Sequence, residues 1–327
     1  DSTAYSSLIA GYTMHGHGHS ALELFRQMQD EVIEPTKVAF SCTLIACGTF
    51  KDIERGLLVH HGLVESGVEV DMDLGITLVQ MYLKCESLEE ASHSFNHLPN
   101  PTAFSWTSLM SGFISSGENQ EALRLYQHMQ NKGVEPNKYT FVLLLKACAS
   151  VGAVNQGQGL HDHIIRESLE NDVVIGSGLV DMYGKCGSFK EALKLFNQLP
   201  CKDTIAWGAM ISVFSHMGNL ALVRKCLQTM EEQGLRPDSN TYSCILSAFS
   251  LTGQVDEGNT QIMSMSEDNL IIPTAKHFNS MAHFLGCTGQ LQKAQELIEC
   301  MPTVPDIISQ TSLLASCISY GNMHIAG

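Results

Sequence analysis

The sequence predicts an all-α solenoid of stacked helical hairpins, and two observations carry that prediction. The first is internal repetition. Shifted by 101 residues, Trp106 recurs as Trp207, Tyr82 as Tyr183, Cys47 as Cys148, Cys85 as Cys186 and His60 as His161. Met28, Met129 and Met230 form a triplet, as do Gly16, Gly117 and Gly218, and Pro35, Pro136 and Pro237. The second is the spacing inside one copy. Trp106, Leu109, Met110, Phe113 and Ile114 recur at i, i+3, i+4, i+7 and i+8, which is one face of a helix. A hairpin this short cannot bury its stripe alone, so its neighbours in the array must cover it.

Turn signals divide the chain in order. The first block separates at Thr36, Asp71 and Thr102 into 2–36, 37–71 and 72–102. The second separates at Asn137, Asp172 and Asp203 into 103–137, 138–172 and 173–203, with the same lengths of 35, 35 and 31 residues. A third runs 204–238, 239–274 and 275–306, and residues 307–327 begin one more helical pair. Within 103–137 the first helix ends at Ser116-Gly117. Ala122, Leu125, Tyr126 and Met129 then form the stripe of a second helix, with Glu118 and Glu121 near its N-terminus, where the helix dipole favours acids. Gly133 is placed to end that helix, and Pro136 prevents its continuation.

Composition narrows the classes. Apolar residues make up 44% of the chain and charged residues 16%, enough to build a continuous core. No window approaches the ~18 uninterrupted apolar residues of a membrane span. The eleven cysteines show no C-x-x-C pair and are odd in number, so they read as reduced, buried packing residues rather than a disulfide or zinc framework. His15, His17 and His19 fall on a helical turn with no neighbouring cysteine or acid, which argues for solvated residues rather than a metal site. His60, His61, His161 and His163 read as surface or packing residues of second helices. No phosphate-cradling G-x-x-x-x-G-K-[ST] and no G-x-S-x-G elbow occurs, so no cofactor is expected. Asp1 and Gly327 both interrupt the pattern, so the chain reads as a piece of a longer one that would carry any targeting peptide.

The 35/35/31 lengths and the strings "AFSWTSLMSGFISSGENQEALRLYQHMQNKGVEPN", "YTFVLLLKACASVGAVNQGQGLHDHIIRESLEND" and "VVIGSGLVDMYGKCGSFKEALKLFNQLPCKD" resemble the P, L and S motifs of plant pentatricopeptide-repeat proteins. The resemblance covers the whole chain as nine repeats, 1–306. It extends into 307–327, where "SQTSLLASCISYGNMHIAG" is similar to the start of the C-terminal E-type extension, with Gln310 in place of the usual Trp. The W-x2-L-G-x2-Y spacing of the ~34-residue tetratricopeptide repeat is absent.

The resemblance implies a right-handed superhelix that binds single-stranded RNA, one base per repeat. In the family the fifth residue of a repeat and its last residue read the base edge, while the second residues of consecutive repeats sandwich the base. Each stacked base is worth about 1–3 kcal/mol. Carried over by position, Thr107 and Asn137 imply adenine between Phe104 and Tyr139. Ser177 and Asp203 imply guanine between Val174 and Ile205. Asn279 and Asp306 imply uracil, with Lys276 in the sandwich. The remaining units read poorly: Ser6 with Thr36, Ile76 with Thr102, and Gly208 with Asp238, where the glycine has no side chain. The L-type units, which usually read weakly in the family, pair Ser41 with Asp71, Val142 with Asp172 and Ser243 with Thr274. Asn and Asp also favour helix starts, so these residues have a purely structural explanation as well.

Charge runs against the usual nucleic-acid footprint: 19 Lys and Arg face 34 Asp and Glu, a net of −15. Part of that excess falls on second-helix positions such as Glu89, Glu90, Glu121, Glu191, Asp256 and Glu257, expected to face outward. Longer relatives end in a deaminase-like domain that needs H-x-E and C-x-x-C. This chain has neither, so it is expected not to be an enzyme. Two function classes follow from the resemblance. One is a sequence-specific adaptor in mitochondria or chloroplasts, positioning a transcript for C-to-U editing or related processing, with an editing co-factor protein or a deaminase recruited in cis or trans. The other is a scaffolding subunit of an organellar ribonucleoprotein that contacts RNA and protein without reading bases.

Overall fold

A computed structural model of the chain describes residues 1–252 throughout. Beyond them it describes 257, 260, 261, 265, 271, 272, 274, 277–279, 282, 285, 292, 294 and 295. Over the described residues the fold is all-helical. The helices are α1 (Ser2–Met14), α2 (Gly18–Asp30), α3 (Lys37–Phe50), α4 (Ile53–Glu65), α5 (Met72–Lys84), α6 (Leu88–Asn96), α7 (Ala103–Ser115) and α8 (Asn119–Asn131). They continue as α9 (Lys138–Val151), α10 (Val154–Arg166), α11 (Val173–Lys185), α12 (Phe189–Gln198), α13 (Thr204–His216), α14 (Leu220–Glu232) and α15 (Ser239–Thr252). Odd-numbered helices open a hairpin and even-numbered ones close it. The chain divides into two compact units, 1–147 and 148–327. In the first, α1, α3, α5 and α7 pack successively on one another, each with its partner helix at its side. In the second, α11, α13 and α15 pack successively, with α12 beside α11 and α14 beside α13.

The last residue before each first helix is its N-cap. Asp71 accepts from Leu74 N at 3.0 Å, Asn137 from Thr140 N at 2.9 Å, Asp203 from Ala206 N at 2.8 Å and Asp238 from Thr241 N at 2.8 Å. Thr36 caps α3 in the same way, and Thr102 begins α7, with the Ser105 hydroxyl reaching back to its backbone N–H at 3.3 Å. Each cap satisfies a helix-start donor and is worth about 1 kcal/mol. Inside the hairpins, Gly16, Gly117 and Gly218 adopt φ of +77°, +86° and +65°, a region that costs a side chain energy. There the chain reverses, and Glu118 N closes on Phe113 O at 2.9 Å.

Residues in 101-residue register make matching contacts. Met28, Met129 and Met230 are fully buried. Trp106 meets Phe95 edge-on at 4.7 Å, and Trp207 meets Phe196 at 4.9 Å. His60 Nδ1 lies 2.7 Å from the Tyr82 hydroxyl, and His161 Nδ1 lies 3.0 Å from that of Tyr183, so both histidines are packing residues. Burial holds both imidazoles below their usual range and pushes the Cys47 and Cys148 thiols up to about 12. Such thiols are inert. Cys201, between α12 and α13, is exposed and departs from the expectation of buried cysteines. Another departure lies on α8, where Leu123 is buried alongside Ala122, Tyr126 and Met129 while Leu125 is only half-buried.

One register break leaves a defect. The Trp207 indole N–H donates to Gln233 Oε1 at 3.2 Å, but the equivalent Trp106 N–H is buried without a partner. Lys132 stands where Gln233 stands in the next copy, and a lysine cannot accept. A buried orphan donor costs about 1–3 kcal/mol. Lys132→Gln is therefore expected to stabilise the chain by about 1 kcal/mol, raising Tm by about 2–4 °C in a thermal melt.

Candidate nucleic-acid interface

The residues expected at the interface lie on or just before the first helices, whose charge differs from that of the second helices. The eight first helices carry Lys37, Lys84, Lys138, Lys146 and Lys185 against Asp73 and Asp181. The seven second helices carry eleven carboxylates against eight cations. The acidic balance of the whole chain therefore does not extend to the first-helix surface. Glu89, Glu90, Glu191 and Glu257 are exposed and Glu121 half-exposed; Asp256 lies outside the described residues.

In the first unit the first helices border an open groove of 1170 Å³. Phe104, Thr107, Asn137 and Tyr139 line it together with Lys51, Lys84 and Glu86. Phe104 and Tyr139 are each 61% exposed. Both occupy the second position of a first helix, where the chain has just left its cap and the side chain clears the preceding turn. Lys51 is paired with Glu86 at 2.6 Å. Lys84 is exposed and has no carboxylate partner among the described residues, its i−4 neighbour being Gln80; the equivalent Lys185 is tied to Asp181 at 2.8 Å.

Thr107 and Asn137 are brought together, though not by direct contact. Thr107 is buried and its Oγ1 lies 2.8 Å from the Thr140 hydroxyl, which donates to Asn137 Oδ1 at 3.1 Å. Asn137 is exposed, and among the described residues its side chain is bonded through Oδ1 rather than through the carboxamide nitrogen. Sequence reasoning missed Thr140; its signal was a hydroxyl three residues into a helix, facing a cap residue.

The second unit holds the other complete pair. Ser177, fully buried, donates to Asp203 Oδ1 at 2.9 Å. That oxygen also caps α13, leaving Oδ2 of the half-exposed Asp203 open. Val174 and Ile205, the expected sandwich residues, are 42% and 55% exposed. Asn279 is half-buried, while its expected partners Asp306 and Lys276 lie outside the described residues, so that pair is not placed.

The poorly reading pairs have physical signatures. Ser6 bonds Thr36 Oγ1 at 2.6 Å and Ser2 O at 2.8 Å, so the two hydroxyls occupy each other and the backbone. Asp71 Oδ2, in the expected partner of Ser41, is held by Lys37 at 2.8 Å, and that lysine keeps the carboxyl below the usual carboxylate range. At Gly208 an added Cβ would lie 2.8 Å from Thr241 Oγ1, so the threonine hydroxyl sits against the space the missing side chain leaves.

Comparison with known proteins fits this geometry. The description "PPR repeat family" matches residues 101–150 and 202–250, and "PPR repeat" matches 3–32, 177–203 and 276–303. A pentatricopeptide repeat-containing protein of Arabidopsis thaliana is 33% identical over 326 residues, covering 100% of this chain and 40% of the relative. Another from the same plant, named mitochondrial, is 33% identical over 319 residues, covering 97% of this chain and 46% of the relative. The chain thus spans less than half the length of these relatives. Among solved structures, the pentatricopeptide repeat protein PPR10 in complex with an 18-nt psaJ RNA element superposes with a TM-score of 0.74. It is 19% identical, and the match covers 100% of this chain and 50% of that one. Matched in sequence along more than half its length and built of the same stacked hairpins, the chain belongs to the pentatricopeptide-repeat family.

Proposed function

We propose that this chain is a single-stranded RNA-binding adaptor of a plant organelle. On this reading it belongs to the P-L-S subclass, with its nine repeats ending at 306 and the E-type extension beginning at 307. It positions a transcript for C-to-U editing or related processing, and a co-factor protein or a deaminase supplies the chemistry. The scaffold itself is not catalytic. The observation that carries the proposal is the groove of the first unit. Two exposed aromatic rings, Phe104 and Tyr139, line it with Thr107 and Asn137, an apolar platform with polar groups beside it. Bases stack on such platforms whatever their identity, and polar groups at their edge supply the choice between them. The RNA-bound relative of the same fold, and the relative named mitochondrial, are consistent with this assignment.

A scaffolding role in an organellar ribonucleoprotein is favoured by a different observation: Ser6 and Thr36 leave no outward polar group, and Asp71 is held by Lys37. A gel shift distinguishes the two. RNA carrying adenine and guanine two repeats apart should bind more tightly than the same RNA with those two bases exchanged. Equal binding of both would sink the adaptor reading in favour of the scaffold.

A further inference from the structure

We infer that Thr140 is a third specificity-determining position for the base held by Thr107 and Asn137, acting as a positioning residue that touches no base itself. The inference rests on the base-reading proposal above. It comes from four of the junctions between units, those whose following helix has alanine or threonine as its third residue; at Thr102 that residue is Ser105, and Ile76 offers it no polar partner.

Where that residue is alanine, the two reading side chains bond each other directly. Ala39 follows Ser6 and Thr36, whose oxygens are 2.6 Å apart. Ala206 follows Ser177 and Asp203, joined at 2.9 Å. Where it is threonine, a hydroxyl is present in that space. Thr140 separates Thr107 from Asn137, at 2.8 Å from the first and 3.1 Å from the second. Thr241 donates to Asp238 at 2.8 Å and stands 2.8 Å from where a Gly208 side chain would begin. Thr140 and Thr241 are themselves buried, so their hydroxyls act through their neighbours.

The wedge changes what the pair can present. A direct Ser177–Asp203 bond commits the serine proton to the carboxylate. In the bridged arrangement, Thr107 Oγ1 meets Ala103 O at 2.6 Å and Thr140 Oγ1 at 2.8 Å, and Thr140 Oγ1 meets Asn137 Oδ1 at 3.1 Å. Three oxygen–oxygen contacts then share two hydroxyl protons, since each threonine carries one. One contact lacks a proton in any arrangement, so the Thr107 hydroxyl can turn without breaking a completed set of bonds. Thr140 also accepts from Asn137 N at 3.2 Å and fixes the carboxamide with Oδ1 inward. The nitrogen, a donor, is left facing out. The first effect depends on the Thr140 hydroxyl alone; the second is shared between that hydroxyl and the Thr140 backbone N–H, which holds Oδ1 at 2.9 Å.

The test uses the 327-residue chain and a pool of randomised single-stranded RNA, from which bound molecules are sequenced. The nucleotide whose base composition changes on Asn137→Asp identifies the base facing this pair. Thr140→Ala is expected to weaken the preference at that nucleotide by about three- to tenfold, the worth of one hydrogen bond. Affinity averaged over the pool should hold, because the Thr140 backbone cap remains, while Tm should fall by only about 2–4 °C for the lost buried hydroxyl. Thr140→Ser, which keeps the hydroxyl, should restore the preference. A structural role alone would move Tm and average affinity and leave the base ratio unchanged. If Asn137→Asp shifts the preference and Thr140→Ala does not, this inference is overturned while base reading stands. If neither variant shifts it, base reading falls and the inference falls with it.

Discussion

Replacing Phe104 and Tyr139 together by alanine is expected to lower affinity for single-stranded RNA by about 5- to 150-fold. Each stacked base contributes about 1–3 kcal/mol, and every 1.4 kcal/mol is tenfold in affinity. Stability should not follow. Both rings are 61% exposed and leave no cavity when truncated, and alanine is the better helix former. Fluorescence anisotropy with a labelled RNA, alongside a thermal melt, separates the two effects. Unchanged affinity would mean that the rings are not a stacking platform and that any RNA binding is held by charge alone.

The second large effect concerns the scaffold. Trp207→Ala is expected to cost about 3–5 kcal/mol, as buried aromatic truncations do. Trp207 is 6% exposed, packs edge-on against Phe196 and donates its indole N–H to Gln233, so the change removes ring packing and strands an acceptor together. In a stacked array, stability is a sum over neighbouring units. Loss of hydrogen-exchange protection should therefore begin in α12, α13 and α14. A denaturation curve showing less than about 1 kcal/mol of destabilisation would mean that this hairpin junction does not depend on the indole.

The repeat frame was legible in the sequence because it rests on rare residues that recur: Trp106 with Trp207, Tyr82 with Tyr183, and the glycines at positive φ. The caps were legible too, since Asp71, Asn137 and Asp203 lie where a helix start needs an acceptor. Periodicity placed the α8 stripe slightly wrong. Leu123 and Leu125 lie on opposite flanks of the Ala122–Tyr126–Met129 line, and only tertiary packing decides which flank is covered. The burial of Thr107 and Ser177 was not legible, because it comes from the next helix closing over them. Nor was the part played by Thr140, whose hydroxyl matters only through two residues of the preceding hairpin. The unpartnered Trp106 N–H has a sequence trace, Lys132 in place of Gln233, but its cost emerges only with burial.

The capping geometry also decides how base reading must be tested. Asn137→Ala would remove the α9 cap and confuse stability with recognition. Asn137→Asp keeps an oxygen for Thr140 N and replaces the outward carboxamide nitrogen with a second oxygen, turning a donor into an acceptor. The measurement that bears most directly on the central claim is therefore the base preference of this variant against the unaltered chain, by competition between RNAs differing at one nucleotide. The expected result is a change of preference at that nucleotide from adenine to guanine, the base assigned to Ser177 and Asp203, with Tm preserved. Undiminished RNA binding with an unchanged preference for adenine would contradict it.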